Sequence, residues 1–208
     1  MTEERPVVYV VDDDPSVRKA MERLLNSTGH EAKIFASASE FLDFKYPDTP
    51  ACLILDVKMP KLGGLELQDR LAEKDISFPI IFITGYGTVP ASVKAFKAGA
   101  MDFLQKPFKE EELLNAVSLG IEKHRNLLQE QKEMKTLQAR LETLTPRELE
   151  IFGLVVSGML NKQIAFDLGI SEKTVKVHRA RVMEKMGAQS LPDLVRFAEK
   201  LGIHSSAD

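Results

Sequence analysis

The stretch Leu53-Ile54-Leu55-Asp56-Val57-Lys58-Met59-Pro60 decides how this chain folds. Its apolar run is too short for a helix and reads as a buried β-strand. The run ends on a carboxylate, and open α/β sheets place their chemistry at the carboxyl ends of their strands. Two more runs end in the same way. Val7-Val8-Tyr9-Val10-Val11 precedes Asp12-Asp13, and Ile80-Ile81-Phe82-Ile83 precedes Thr84. A fourth, Phe103-Leu104, precedes Lys106-Pro107. The pattern predicts that three acids, one hydroxyl and one amine meet on one edge of one sheet.

Helix-like segments separate these strands. Val17, Met21, Leu24 and Leu25 fall at helical spacing, Glu31 to Phe35 reads as a second strand, and Ser39 to Tyr46 and Gly64 to Glu73 read as helices. After Gly85-Tyr86-Gly87, a helix carrying Val89, Val93 and Phe96 is expected to end near Gly99. The last helix should begin near Glu110, where Glu111 and Glu112 suit a helix N-terminus. Five strands alternating with five helices imply a parallel sheet covered on both faces, an α/β domain over residues 1–123.

Residues 124–142 contain no Gly or Pro. Leu127, Met134 and Leu141 recur every seven residues, as do Leu137 and Leu144. The segment reads as a helical linker continuing the preceding helix; a coiled coil is the alternative, opposed by Glu130 at a seam position.

Residues 143–208 read as all helical. Thr145-Pro146-Arg147-Glu148 is a helix start, with Thr as N-cap, Pro at the first position and Glu at the third. That helix should end near Gly158. A short helix, Asn161 to Leu168, is closed by Gly169; Ser171 then caps a longer one to about Met186, and a final helix starts at Ser190. A short helix, a Gly-containing turn and a basic helix give the outline of a helix-turn-helix.

The length of 208 residues allows one or two domains, and 44% hydrophobic with 28% charged residues reads as an ordinary soluble protein. No run approaches a membrane span, and the N-terminus lacks a signal-peptide pattern. The single cysteine, Cys52, lies in a strand-like setting and allows no internal disulfide, so a cytoplasmic location is expected. The net charge of −3 is unevenly spread. Residues 1–124 carry 15 basic and 20 acidic side chains, whereas residues 171–186 hold Lys173, Lys176, Arg179, Arg181 and Lys185 against Glu172 and Glu184. Basic charge is thus concentrated on one short helix, a local pointer to nucleic acid.

Asp12, Asp13 and Asp56 would repel one another unless something cationic binds them. Lys106 offsets one charge, and a hard divalent cation, Mg²⁺ or Mn²⁺, would offset the rest. Thr84 could donate to an incoming phosphoryl group and Lys106 could pair with it, leaving Asp56 as the nucleophile that forms an acyl phosphate. Lys106-Pro107 is a candidate cis peptide that would aim the lysine inward. Each piece alone has a plainer reading: an acidic pair as a helix cap, a Lys-Pro as a turn, an Asp after a strand as a turn cap. Their order and shared position favour the joint reading. Asp14 is read as a cap or a residue behind the cluster.

Residues 1–123 resemble a response-regulator receiver domain, on Asp12-Asp13, Asp56 in Leu-Asp-Val-Lys-Met-Pro, Thr84-Gly85 and Lys106-Pro107-Phe108. The resemblance implies a flavodoxin-like sheet of order 2-1-3-4-5 and phosphotransfer from a sensor histidine kinase to Asp56. It implies Mg²⁺ held by Asp13, Asp56 and the backbone carbonyl of Lys58, with Asp12 acting largely through water. Phe103 matches the family's switch aromatic, and Thr84 is expected to move toward the phosphoryl group. The loop from Ile83 to Pro90 looks like the FixJ branch, near regulators of styrene or toluene catabolism, so such genes are the expected target.

Residues 144–201 resemble the DNA-binding domain of NarL/FixJ and LuxR-type regulators. The matching runs are Leu144 to Glu148, Gly158, Asn161 to Ala165, Leu168 to Ser171, Thr174 to His178 and Lys185 to Gly187. Val175, Val182 and Met186 share one helical face and should pack inward; Lys176, Val177 and Ala180 should face the major groove. Lys176 could donate to a guanine and Val177 could touch a thymine methyl. Lys162, Lys173, Thr174, Arg179, Arg181 and Lys185 are phosphate-contact candidates. His178 is expected to be partly buried or phosphate-bonded.

The joint expectation is a two-component transcription regulator that dimerises when phosphorylated, binds double-stranded promoter DNA and activates through RNA polymerase. The rival is an aspartate-nucleophile phosphatase of the haloacid-dehalogenase type fused to a DNA-binding domain. It needs a second acid two residues after its nucleophile, and Lys58 stands there.

Overall fold

The computed structural model describes residues 5–85 and 99–203. The chain divides into two compact units, 1–129 and 130–208.

The first unit is a five-stranded sheet in the order β2-β1-β3-β4-β5. Its strands are β1 (Val7–Val11), β2 (Glu31–Phe35), β3 (Ala51–Asp56), β4 (Ile80–Thr84) and β5 (Asp102–Gln105). Every pairing is parallel. The register sets Val11 beside Leu55 and Asp56 beside Ile83, so the strand ends line up on one edge. All residues of β1, β3 and β4 are buried, as continuous apolar runs in a parallel sheet require.

Alternate residues feed two cores, because side chains alternate across a strand. One face carries Tyr9, Leu53, Leu55 and Phe82, packed with Phe41 of α2 (Ala38–Leu42) and Leu67 and Leu71 of α3 (Gly64–Glu73). The other carries Val8, Val10, Ile54 and Ile81, packed with Met21 and Leu25 of α1 (Pro15–Ser27) and with Leu113, Val117 and Ile121 of α4 (Glu110–Glu142). Cys52 is fully buried on that second face.

The helix expected over Ser39 to Tyr46 is shorter, ending at Leu42 with Asp43 as its C-cap. Aromatic packing overrides local helix preference there. Phe44 and Tyr46 join rings with Tyr9, Phe41 and Phe78, and the Tyr46 hydroxyl donates to the Phe41 carbonyl. The expected helix bearing Val89, Val93 and Phe96 lies outside the described residues.

α4 runs without interruption to Glu142. Its first half packs on the sheet, while Leu137 is buried in the core of the second unit and Leu141 packs against that core. The stretch read as a plain linker therefore contributes to the second unit's interior.

The second unit continues with α5 (Pro146–Val156), α6 (Asn161–Asp167), α7 (Glu172–Met186) and α8 (Leu191–Lys200). The capping box at Thr145 forms: its side chain accepts from Glu148 N, and Glu148 Oε2 accepts from Thr145 N at 2.9 Å. Ser171 and Ser190 cap α7 and α8. Gly187 ends α7 in the left-handed region, φ 67°. Ile151, Phe152, Ile164, Val175, Val182, Met186 and Leu194 form the core.

Candidate functional site

Three strand ends and one lysine build the site. Asp12, just past β1, and Asp56, the last residue of β3, are 1% and 6% exposed, and Thr84 at the end of β4 is buried. Lys106 follows β5 and donates to both carboxylates, to Asp12 Oδ2 at 2.8 Å and Asp56 Oδ1 at 3.1 Å. The Lys106–Pro107 peptide is cis. The other oxygen of each carboxylate is also held. Asp14 N donates to Asp12 Oδ1 at 2.8 Å, and Lys58 N donates to Asp56 Oδ2 at 2.8 Å. Arg18 Nη1 donates to the Asp12 carbonyl at 2.6 Å. No motif in the sequence marked Arg18; its place six residues after Asp12, on the first turns of α1, is the only signal.

Burial pushes the Asp56 carboxyl above its usual range, Asp12 adds to the push, and Lys106 opposes it without cancelling it. For Lys106, burial favours the neutral amine, but the two carboxylates outweigh it and raise its pKa. The pair is held as buried carboxylates around one cation.

The sequence pattern placed three acids together; the structure brings two to Lys106. Asp13 stays exposed, and among the described residues no group of three His, Cys, Asp or Glu is gathered as a metal site. One ammonium can compensate two carboxylates at close range, and a third would add repulsion. The donor chemistry still suits a hard cation, since the edge offers carboxylate oxygens and backbone rather than sulfur or imidazole. Asp14 is the N-cap of α1, its side chain accepting from Ser16 N at 2.7 Å. Phe103 is half-buried, with its ring centroid 6.3 Å from that of Phe82.

The second unit presents its own surface. Lys176, Val177 and Ala180 are exposed on α7, opposite the buried Val175, Val182 and Met186. Lys162, Lys173 and Arg181 are exposed as well. Thr174 is half-buried and its hydroxyl shares a 2.8 Å hydrogen bond with Ser171. Arg179 Nη1 donates to Asn161 Oδ1 at 3.0 Å, fixing α7 to α6. His178 is half-buried.

Lys185 has partners within the protein. The sequence reading grouped it with the phosphate contacts, but its Nζ donates to Glu148 Oε2 at 2.6 Å and to the Thr143 carbonyl at 2.9 Å. Glu148 is 3% exposed, so a buried carboxylate claims that ammonium. The Lys185 hydrogen bond and the Thr145 amide together lower the Glu148 pKa to about 2. A helical wheel cannot see this partner, because α5 supplies it.

Comparison with known proteins agrees with both units. Residues 8–118 match the response regulator receiver domain, and residues 142–198 match the bacterial regulatory proteins of the luxR family. Nodulation protein W of Bradyrhizobium diazoefficiens is 46% identical over 202 residues, covering 97% of this chain and 89% of that protein. The transcriptional regulatory protein FixJ of Rhizobium meliloti is 42% identical over 191 residues, covering 92% and 94%. Among solved structures, the response regulator StyR superposes with a TM-score of 0.86 at 44% identity, covering 95% of this chain and all of that one. Relatives of such similar identity carry unlike names, so identity alone assigns no target pathway. Nothing in these matches supports the phosphatase alternative. A receiver family that generally binds Mg²⁺ at its phosphorylation site, joined to a DNA-binding family, implies a sensor kinase and promoter DNA as partners. The chain belongs to the DNA-binding response regulators, on their FixJ-like branch.

Proposed function

We propose that Asp56 accepts a phosphoryl group from a sensor histidine kinase and that this modification switches the second unit to activate transcription from double-stranded promoter DNA. The observation that carries the reading is the buried Asp56 carboxylate at the end of the central strand, with Lys106 on one oxygen and the Lys58 amide on the other. An Asp56 oxygen attacks phosphorus, the bond to the donor's nitrogen breaks, and an acyl phosphate forms. Lys106 then pairs with the phosphoryl oxygens, and Thr84, next to Asp56's neighbour Ile83 in the register, supplies a hydroxyl to them. Mg²⁺ (or Mn²⁺), held by Asp13, Asp56 and the Lys58 carbonyl with Asp12 behind it, supplies charge neutralisation when bound. Phe103 turns inward as Thr84 moves.

On DNA, α7 enters the major groove. Lys176 and Val177 read bases, and Lys162, Lys173, Thr174, Arg179 and Arg181 meet phosphates. The phosphorylated protein dimerises and engages RNA polymerase in the cytoplasm; no described helix is long and apolar enough to cross a membrane. Genes for styrene or toluene catabolism are the proposed target on family resemblance.

The test is intact mass after treatment with acetyl phosphate and Mg²⁺. Wild type should gain one phosphoryl group, roughly 80 Da, only with the cation present. Asp56→Asn should gain none; an equal adduct on that variant would place the acceptor elsewhere.

A further inference from the structure

The carboxyl end of the base-reading helix is held by a residue from outside the helix-turn-helix. A helix leaves its last carbonyls without internal partners. In α7 the Met183 and Glu184 carbonyls are taken by the amides of Ala188 and Gly187, at 2.9 and 3.0 Å. The Met186 carbonyl is taken by Arg140, whose Nη1 donates to it at 2.9 Å from the last turn of α4. The cation also lies at the negative end of the helix dipole. Gly187 makes room for it: a Cβ there would stand 2.7 Å from Arg140 Nη1. In return Lys185 of α7 donates to the Thr143 carbonyl beyond the end of α4. Each helix thus has a terminal carbonyl capped by a cation from the other.

We propose that Arg140 is a positioning residue for DNA recognition, fixing the tilt of α7 so that Lys176 and Val177 meet base edges in register. This rests on the assignment of those two residues to base reading. Ten residues of helix separate Lys176 from Met186, a lever of about 15 Å. A tilt of about 10° at the far end would move Lys176 by roughly 2.6 Å, beyond the tolerance of a side chain aimed at a base. Without Arg140, α7 is still kept in place by the apolar contacts of Val182 and Met186, by Arg179 on Asn161 and by Lys185 on Glu148. What Arg140 adds is the hydrogen bond on the carbonyl that ends the helix, and with it the fine setting of the tilt. Phosphate contacts tolerate such movement better, because they position rather than read.

The experiment uses the full-length chain and two duplexes: one selected by wild type from a randomised pool, and a scrambled version of it. Active protein is counted by stoichiometric titration, and affinity is measured across a salt series. Arg140→Met keeps the stem and removes the donor; Arg140→Lys keeps a donor. The expected result is a loss of about tenfold in selected-over-scrambled preference for Arg140→Met. The slope of affinity against salt should be unchanged, and Arg140→Lys should recover most of the preference. Equal losses on both duplexes with a slope shallower by about one would make Arg140 a phosphate contact and overturn the proposal. Unchanged preference in Arg140→Met would overturn it too. Lys176→Ala beside them tests the base-reading assignment itself: preference retained in that variant would refute the assignment without implicating Arg140's cap.

Discussion

Gly64 shows how tightly the phosphoacceptor turn is built. A Cβ there would lie 2.3 Å from the Asp56 carbonyl oxygen, while the Gly64 amide donates to the Val57 carbonyl at 3.0 Å. Any side chain must push the backbone that carries Asp56. Gly64→Ala should destabilise the receiver unit by about 1–3 kcal/mol, read as a lower urea midpoint, and should slow acetyl-phosphate labelling of Asp56. A midpoint equal to wild type would mean that the turn yields freely. Asp12, Asp56 and Lys106 could be found from sequence because charge at the ends of apolar runs has few plain explanations. Gly64 could not, since close approach of two backbones leaves no mark on either stretch alone. Which of the adjacent Asp12 and Asp13 pairs with Lys106 was not legible either, because adjacency in sequence says nothing of which carboxylate closes on the lysine.

At the scale of elements, β3 is gripped at both ends. Its last residue meets Lys106, and its first, Ala51, donates its amide to Nδ1 of the buried His124 on α4 at 2.8 Å. That bond needs a neutral ring with Nδ1 free to accept. Burial lowers the His124 pKa, and Asp48 only partly opposes it; Phe78 covers the ring and Lys123 lines the same small cavity. The sign follows from linkage. Because the folded pKa lies below the ordinary 6.5, the unfolded chain binds the extra proton more readily. The stabilisation is complete above pH 6.5 and is lost as pH falls through the lower folded value. Receiver stability, followed by urea unfolding, should therefore decline below pH 6.5 in wild type, and His124→Gln should flatten that decline. An identical slope in the variant would remove His124 from the account. The helical state of residues 124–142 was legible from the absence of Gly and Pro. Which core His124 and Leu137 belong to was not, because a seven-residue leucine spacing looks the same whichever body it packs on.

For the whole molecule, the division into compact units falls at residue 130, inside the segment read as a linker. The second compact unit begins at Glu130, and within it Leu137 is 5% exposed, Arg140 reaches Met186, and Lys200 pairs with Glu133 at 2.8 Å. We therefore propose that residues 130–142 are part of the DNA-binding unit. A fragment of residues 130–208 should unfold at a higher temperature than one of residues 143–208, followed by helical circular dichroism. Loss of Leu137 alone is worth at least about 2 kcal/mol, or roughly 8–16 °C in a unit of this size. Equal melting temperatures would return the segment to the role of a spacer. The two-domain plan itself was plain in the sequence, since a strand-helix alternation gives way to uninterrupted helical patterning.

Cys52 gives this molecule a built-in gauge. Burial raises its thiol pKa to about 12, and Gly120 of α4 sits so close that a Cβ there would be 3.1 Å from the sulfur. A thiol reagent can reach it only when the packing over this face of β3, α4 included, opens. With one cysteine in 208 residues, each labelled molecule records one such opening, and the labelling rate becomes a clock for the interface that ties the phosphoacceptor strand to the helix leaving it.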